Sequence, residues 1–363
     1  MRHCFDRSFP QRGARAGRRR PGTGWLAPVG SNLVSSAPAT EPTSNASQEW
    51  AQADASAAPA FDWKRRRLVR WLGSVELGGT NCRVAIGDQS IAILEQDSFA
   101  IGDDPSNTIR RIAQWFERQD RHVAAVGVAS FGPLDPSHEM IAASPKLAWQ
   151  RFPLRRALAA AIGAPILIET DVTSSVFAEW TLGAGRGLDT VLYVTVGTGI
   201  GVGAVVGGRI RCSGLQPEMG HMRIPRGRDN DWPGDCAFHS DCWEGIASGH
   251  ALATRYGVPA EDLANETAWR LEAEYLALGV ANLSCTYRPQ RIVIGGGVPR
   301  HPGLIEAIRY EVTRLLNVEY FPEASAMEDY LVPPALGERS GIIGGLLLAR
   351  DGAFADSDHG APA

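Results

Sequence analysis

Two glycine-rich loops at matching places in the two halves of the chain constrain the fold more than any other feature of the sequence. The first is Glu76-Leu-Gly78-Gly79-Thr80-Asn81, and the second is Val194-Thr-Val-Gly-Thr198-Gly199-Ile-Gly201. Each lies between two strand-like segments, and its exposed N–H groups and Thr hydroxyls suit phosphate oxygens. Neither is a Walker loop, because no Lys-Ser/Thr pair follows at the required spacing. Their matching positions predict a duplicated α/β fold.

The hydrophobic pattern predicts strands and helices in the same order in both halves. The predicted strands are 71–76, 82–87, 91–99, 122–129 and 165–169, then 190–196, 201–206 and 291–294. The predicted helices are 104–118, 171–181, a long helical region at 245–288, 302–316 and 340–350. Gly183, Gly185 and Gly187 suggest a hinge between two domains. We expect an N-terminal domain over 69–182, completed by a terminal helix at 336–352, and a C-terminal domain over 183–335.

Four potential metal ligands lie close together in the second half of the chain. They are His221 and the Cys236-x₂-His239-x₂-Cys242 group. Two thiolates and two imidazoles complete a tetrahedral Zn²⁺ shell and leave no open position, which is typical of a structural site. The alternative is two buried thiols beside two surface histidines. The spacing favours Zn²⁺ that fixes a loop.

Charge and composition exclude several classes of protein. The formal net charge of −4 combines 12 basic and 5 acidic residues in 1–70 with 24 basic and 35 acidic residues in the remainder. An acidic body argues against nucleic-acid binding. No apolar run is long enough for a membrane helix. The spacing of the six cysteines predicts no disulfide framework, so we expect a reducing cytoplasm.

The first 68 residues differ in composition from the rest. They are rich in Ala, Pro, Ser, Gly and Arg and show no helix or strand period, so we expect a disordered extension. Its basic runs suit a targeting arm or a nucleic-acid tail, but a misassigned start codon is the preferred explanation. Residues 353–363 are likewise expected to be a disordered tail.

Nine segments, in order from about residue 71 to residue 350, resemble the ROK family of sugar kinases, most closely its bacterial fructokinase branch. The segments are Glu76–Asn81, Ser130–Asp135, Ser144–Trp149, Glu169–Val172, Thr195–Gly201, Pro217–His221, Cys236–Glu244, Gly295–Gly297 and Ser340–Gly345. The resemblance implies the actin-like ATPase fold, with two RNase H-like domains around a cleft where ATP and sugar meet.

The same resemblance implies roles for residues on the nucleotide side of that cleft. Asp171 matches the base that takes the proton from the attacking sugar hydroxyl; it could also be the N-cap of its helix. Mg²⁺ is expected with ATP, bridging its phosphates. The remaining matches are Gly78, Gly79, Thr80 and Asn81 in the first phosphate loop, Thr198 and Gly199 in the second, and Gly295, Gly296 and Gly297 at the adenosine.

On the sugar side, the resemblance implies that Glu218, His221 and Glu244 hydrogen-bond sugar hydroxyls, with Gly132, Pro133 and Thr173 completing the pocket. His221 would also ligate zinc through its other ring nitrogen. Thr173 departs from the family pattern, which has Asn at that position, and its shorter side chain puts sugar affinity in doubt. The resemblance also implies a homodimer.

Two other functions compete with ATP-dependent phosphorylation of fructose. One is a ROK kinase for glucose, mannose or an N-acetylhexosamine, although the C-x₂-H-x₂-C loop resembles the fructokinase variant. The other is a sugar-sensing ROK repressor, which would need a winged helix-turn-helix in residues 1–68. That segment lacks two amphipathic helices joined by a short turn, so the kinase is preferred.

Overall fold

Strands and helices alternate from residue 72 to residue 351 and build two five-stranded sheets. The computed structural model describes residues 71–352, apart from 143, 145, 211–215, 227–230 and 318. The predicted disordered segments 1–68 and 353–363 therefore lie outside the described residues. So does the place where the repressor alternative would need its DNA-binding domain.

The N-terminal sheet has the order β3-β2-β1-β4-β5. Its strands are β1 (Leu72–Leu77), β2 (Asn81–Gly87), β3 (Ile93–Ala100), β4 (Val126–Ser130) and β5 (Ile166–Thr170). The first three are antiparallel, whereas β4 and β5 run parallel to β1. The carboxyl ends of β1, β4 and β5 therefore meet at one edge.

Two helices cover one face of this sheet. Helix α1 (Pro105–Glu117) begins with Pro at its first turn, and the Asp104 side chain accepts from Ser106 N, as an N-cap does. Helix α2 (Leu154–Ile162) ends at Gly163, which has a φ of 73°. The apolar face of α1, including Ile109 and Ile112, packs in one buried cluster with Leu154 and Leu158 of α2 and with the strands.

The C-terminal sheet repeats this topology in the order β10-β9-β6-β7-β8. Its strands are β6 (Val191–Val196), β7 (Ile200–Val206), β8 (Arg209–Ile210), β9 (Arg291–Gly295) and β10 (Leu331–Val332). Again three strands are antiparallel, and β9 and β10 run parallel to the first strand, β6. The two halves thus share one plan.

Five helices belong to the second half. They are α4 (Trp243–Ala247), α5 (Gly249–Tyr256), α6 (Glu266–Tyr287), α7 (Leu304–Leu315) and α8 (Met327–Tyr330). Trp243, Leu276 and Ile308 belong to the large buried cluster against this sheet. None of the helices within the described part of the chain has the length and apolarity needed to cross a membrane.

Helix α3 (Asp171–Leu182) lies between the two sheets and contacts both. Phe177 packs in a cluster with Leu72 and Leu346, whereas Val176 packs with Val191 and Val205 of the C-terminal sheet. The terminal helix α9 (Ser340–Asp351) packs against α3, β1 and β4. Helix α3 therefore joins the two cores. The domain boundaries proposed from the sequence stay a prediction.

Several predicted element bounds were wrong. The predicted strand 91–99 begins at Ile93, because Ile91 lies in a tight turn at positive φ, with its N–H donating to Asp88 O. The predicted strand 122–129 begins only at Val126. The prediction of helices over roughly 245–288 is confirmed, because three helices occupy this region, with breaks at Ser248 and after Tyr256. Helix α2 was missed, although its buried residues Leu154, Ala157 and Leu158 have the i, i+3, i+4 spacing of an amphipathic helix.

Candidate active site

The two glycine-rich loops meet in the cleft between the sheets. Each closes its hairpin by a backbone bond of 2.9 Å, from Gly78 N to Asn81 O and from Gly197 N to Gly199 O. A Cβ placed on Gly79 would lie 3.4 Å from the Thr198 side chain. Thr80, Asn81 and Thr198 are exposed. The two loops that are predicted to bind phosphate therefore lie next to each other.

A cavity of about 340 Å³ opens beside these loops. Its walls come from both halves of the chain, and they include Glu76 and Asp171 from the first half and Gly295, Gly296 and Gly297 from the second. Gly296 has a φ of +101°, and a Cβ there would lie 2.3 Å from Val196 O. The turn after β9 thus requires glycine and leaves a flat backbone surface in the cavity wall.

Asp171 is the first residue of α3 and sits on the cavity wall, partly exposed. Its low-polarity surroundings raise the pKa of the carboxyl to about 7, and the negative charges of Glu76 and Glu218 act in the same direction. The N-cap expected at Asp171 was wrong: Thr170 caps the helix by accepting from Thr173 N. A carboxylate with this pKa suits a general base near neutral pH.

Thr173 does not present a free hydroxyl to the cleft. Its Oγ1 accepts a hydrogen bond of 2.9 Å from Thr170 Oγ1, and the residue is 4% exposed. Thr173 therefore belongs to the cap of α3 in this structure. The sugar contact expected at this position stays a prediction.

A chain of ion pairs crosses the nucleotide-side wall of the cavity. Glu76 and Arg83 approach to 3.3 Å, and Arg83 Nη2 lies 3.4 Å from Glu338. Arg83 Nη1 also donates to the Glu338 carbonyl at 2.9 Å. Glu338 in turn pairs with Arg300, which follows the three glycines. Burial raises the pKa of Glu76 and the Arg83 charge opposes the rise.

A second polar group lies behind β5. The Glu169 carboxylate is 3.4 Å from His138 Nδ1 and accepts from Gln216 Nε2 at 3.1 Å. Burial raises the pKa of Glu169, whereas its hydrogen bond raises the pKa of His138. His138 follows the Gly132–Pro133 segment, whose peptide bond is cis, and Gln216 precedes Glu218. The group thus links the two segments expected to hold the sugar.

The four predicted metal ligands come together in space. His221, Cys236, His239 and Cys242 offer ligand atoms that all lie within 4.8 Å of one another. His221 Nδ1 is 3.4 Å from Cys242 Sγ and 3.5 Å from Cys236 Sγ, and Cys236 Sγ is 3.9 Å from His239 Nδ1. Bond lengths of ~2.3 Å for Zn–S and ~2.0–2.1 Å for Zn–N give tetrahedral edges of roughly 3.4–3.8 Å. Two of the three measured separations lie within this range, so the four ligand atoms could hold a metal ion, and its assignment as Zn²⁺ stays a prediction.

The metal cluster and the second phosphate loop share a neighbour in Glu244. This residue lies in the first turn of α4, two residues after Cys242, and its Oε2 accepts from Ile200 N at 2.9 Å. Glu218 is exposed and directly precedes the short helix turn that ends at His221. Partial loss of solvent around its carboxyl raises the pKa of Glu218, while His221 opposes the rise. Because His221 Nδ1 faces the sulfurs, Nε2 is the nitrogen left for another partner.

Comparison with known proteins identifies the family. Residues 72–352 match the sequence profile of the ROK family. The chain belongs to the ROK family. The fructokinase of Lactococcus lactis subsp. cremoris is 34% identical over 287 residues, covering 77% of this chain and 97% of that protein. The fructokinase of Streptococcus mutans serotype c is 33% identical over 293 residues, covering 78% and 98% respectively.

A solved ROK structure supports the fold. A ROK family glucokinase from Streptomyces griseus, crystallised with glucose and AMPPNP, is 25% identical with a TM-score of 0.65. The match covers 77% of this chain and 99% of that one. The predicted actin-like ATPase fold is therefore confirmed for this ROK protein. The roles assigned to single residues stay predictions.

Sequence reasoning missed several polar residues at the site of this ROK protein. Arg83, Arg300 and Glu338 reach the cavity wall from β2, the turn after β9 and the segment before α9. Arg83 lies between the buried residues Cys82 and Val84 on β2. Arginine is rarely buried without a partner, so a charge at this position indicates a cleft. Nothing in the local sequence pairs Glu338 with either arginine, since their proximity depends on the approach of the two halves.

Proposed function

We propose that this chain is an ATP-dependent hexose kinase that converts D-fructose to fructose 6-phosphate. The observation that carries the proposal is the placement of Asp171. Its carboxyl, with a pKa raised by burial to about 7, lines a cavity that also includes Glu76 of the first glycine-rich loop and Thr195 of the second. The names of the fructokinase relatives support the choice of sugar.

In the proposed reaction, Asp171 accepts the proton of the fructose 6-hydroxyl as that oxygen attacks the γ-phosphorus. The bond between the γ-phosphorus and the bridging oxygen breaks, and ADP leaves with the electron pair. The backbone N–H groups and hydroxyls of Gly78–Asn81 and Thr198–Gly199 hold the phosphates, and Gly295–Gly297 lie against the adenosine. Mg²⁺ bound with ATP would supply positive charge that neutralises part of the phosphate charge.

The sugar is proposed to bind on the side of Asp171 that faces away from the nucleotide. Its hydroxyls would donate hydrogen bonds to the carboxylates of Glu218 and Glu244 and would also hydrogen-bond to His221 Nε2. The pocket is closed by Gly132, Pro133 and Thr173. Zn²⁺ at His221, Cys236, His239 and Cys242 would hold this loop in place without touching the reaction. The distances between those four ligand atoms support the assignment.

A sugar panel with ATP tests the proposal. We expect the highest kcat/KM for fructose and lower values for glucose and mannose, with some phosphorylation of mannose. NMR of the product should show that the phosphate is on the 6-hydroxyl oxygen. Buried groups left unpaired by the wrong hydroxyl each cost about 1–3 kcal/mol. A tenfold preference for glucose or N-acetylmannosamine would contradict the choice of fructose. Absence of transfer from ATP to every hexose would contradict the kinase.

A ROK kinase for glucose is the second candidate. The Streptomyces griseus glucokinase structure, with a TM-score of 0.65, is the observation that favours it. The same sugar panel separates the two, because glucose would then give the highest kcat/KM. The homodimer, the cytoplasmic location and the domain boundaries at 69–182 and 183–335 stay predictions. Light scattering on the purified protein would test the first.

A further inference from the structure

The two halves of the molecule are joined by two chain crossings. The first runs from the end of α3 at Leu182 to β6, and the second runs from β10 to the start of α9. Any change in the relative position of the sheets must bend the backbone at such crossings, because hinges concentrate motion in a few residues at the ends of elements. The second crossing also lines the cavity, through Pro334, Gly337 and Glu338.

One buried carboxylate binds both crossings. Glu179 lies on α3 and is 0% exposed. Its Oε2 accepts from Ala184 N at 2.8 Å in the first crossing and from Ala335 N at 3.1 Å in the second. Its Oε1 accepts from Leu336 N at 3.0 Å and from Ser340 Oγ at 2.7 Å. Four donors on two oxygens match the accepting capacity of a carboxylate, which donates nothing.

The first crossing is held close to this carboxylate on every side. Gly183 N and Gly185 N donate to the Glu179 carbonyl at 3.0 and 2.8 Å. A Cβ on Gly183 would lie 2.0 Å from Glu179 Oε2, so the chain could not pass here with a larger residue. Arg291 of β9 donates to Ala184 O from the other sheet at 2.5 Å.

The helix that carries Glu179 also carries Asp171 at its first position. Eight residues separate them, which is about two helical turns and roughly 12 Å along the axis. A shift of α3 relative to the second crossing would therefore move Asp171 relative to the nucleotide-side wall of the cavity. Errors of about 1 Å in such a geometry cost on the order of 10²-fold in rate.

We propose that Glu179 is a positioning residue that fixes Asp171 relative to the nucleotide-side wall and thereby couples nucleotide binding to sugar binding. The inference rests on the proposed function of the cleft. Because both crossings share one anchor, a nucleotide that settles against Pro334 and Gly337 also sets the position of α3. Fructose then binds to a cleft in which Asp171 and the nucleotide-side wall already have their final relative positions.

The test measures the coupling between the two ligands in the full-length protein. The Kd of fructose is determined by calorimetry with and without saturating AMPPNP, in wild type and in Glu179→Gln. We expect AMPPNP to tighten fructose binding about fivefold or more in wild type, the lower end of typical couplings, and less than about twofold in the variant. The Kd of fructose alone should change less than about twofold, whereas kcat should fall ~10–100-fold.

The matched control is Glu272→Gln in α6. Glu272 is also a buried helical carboxyl, at 2% exposure, but one of its oxygens has no hydrogen-bond partner among the described residues. Burial holds the pKa of Glu272 well above its usual range, so the amide replaces a neutral acid. We expect this variant to keep both the coupling and kcat.

Two milder variants keep the test decisive if Glu179→Gln fails to fold. Ser340→Ala removes one of the four donors and should leave intermediate coupling between nucleotide and fructose binding. In Glu179→Asp the shorter side chain cannot reach both crossings, so this variant should lose most of the coupling. Coupling equal to wild type in these variants, or a wild type with no coupling, would overturn the inference. If either result is found while the wild type still phosphorylates fructose, the inference about Glu179 fails but the proposed kinase function stands.

Discussion

The two sides of the cleft have the same sheet topology but fix their functional side chains by different means. In the first half, Glu76, Arg83 and Asp171 lie on β1, β2 and the first turn of α3, and regular secondary structure positions them. In the second half, Glu218 directly precedes a three-residue helix turn, and Glu244 lies in a five-residue helix. These segments converge on the metal cluster.

The comparison suggests a division of tasks. Regular elements of the first half hold the proposed base at a defined place, whereas the proposed sugar contacts of the second half lie on short segments that the proposed metal would fix. Loss of a group from the first half should therefore reduce kcat and leave the fold intact. Loss of the metal from the second half should act mainly on sugar binding.

The largest expected effect is that of Asp171→Asn. Removal of the base should lower kcat by ~10²–10⁴-fold, while Kd values for ATP and fructose and the Tm stay close to wild type, because α3 keeps its Thr170 cap. Stopped-flow or coupled assays give kcat, and calorimetry gives the Kd values. The exposed Asp262→Asn serves as control. Near-normal turnover would exclude Asp171 as the base.

The second prediction addresses the metal-dependent half. Cys236→Ser should lose the ~1 Zn²⁺ per chain that one complete ligand set implies. We expect KM for fructose to rise roughly 10–100-fold, the range seen when a metal site is disturbed. Elemental analysis by mass spectrometry measures the zinc.

Cys285→Ser is the matched control for this variant, because Cys285 is an exposed free thiol outside the cluster. It should keep both the zinc and the KM. A purified wild type with full activity and no zinc would show that the loop needs no metal. The contrast between the two halves of the cleft would then be lost.

The third prediction concerns pH and belongs to the first half of the cleft. Asp171 must be deprotonated to act as a base, and its pKa is raised to about 7. Activity is therefore present above this pKa and lost as the pH falls through it. For one group of this pKa, kcat/KM should fall about fivefold between pH 7 and pH 6. A flat profile down to pH 5 would contradict the raised pKa, and Asp171→Asn should lack this limb.

What the sequence predicts well depends on how local the determinant is. The eight predicted strands, the pairing of the two hairpin loops and the four candidate metal ligands all follow from spacing along the chain. Helix α2 was missed although its determinant is local, since Leu154, Ala157 and Leu158 show the spacing of a buried helix face. The Glu338 ion pairs and the Glu179 hydrogen bonds escaped because their partners lie up to 255 and 161 residues away in the chain. Only the folded arrangement of the two halves brings such groups together.

The smallest expected effect is that of Thr173→Asn, which tests whether α3 also contributes to sugar affinity. In wild type the Thr173 hydroxyl is bound to Thr170 and is 4% exposed, so it offers little to a ligand. Asn extends farther and adds two donors, while its backbone N–H still donates to Thr170 Oγ1. One added hydrogen bond contributes about 0.5–1.5 kcal/mol, so KM for fructose should fall roughly 2–10-fold with kcat nearly unchanged.

KM for ATP, measured on the same variant, is the internal control and should stay constant. An unchanged or raised KM for fructose would show that position 173 serves only the helix cap, and that sugar recognition rests on the metal-held half of the cleft.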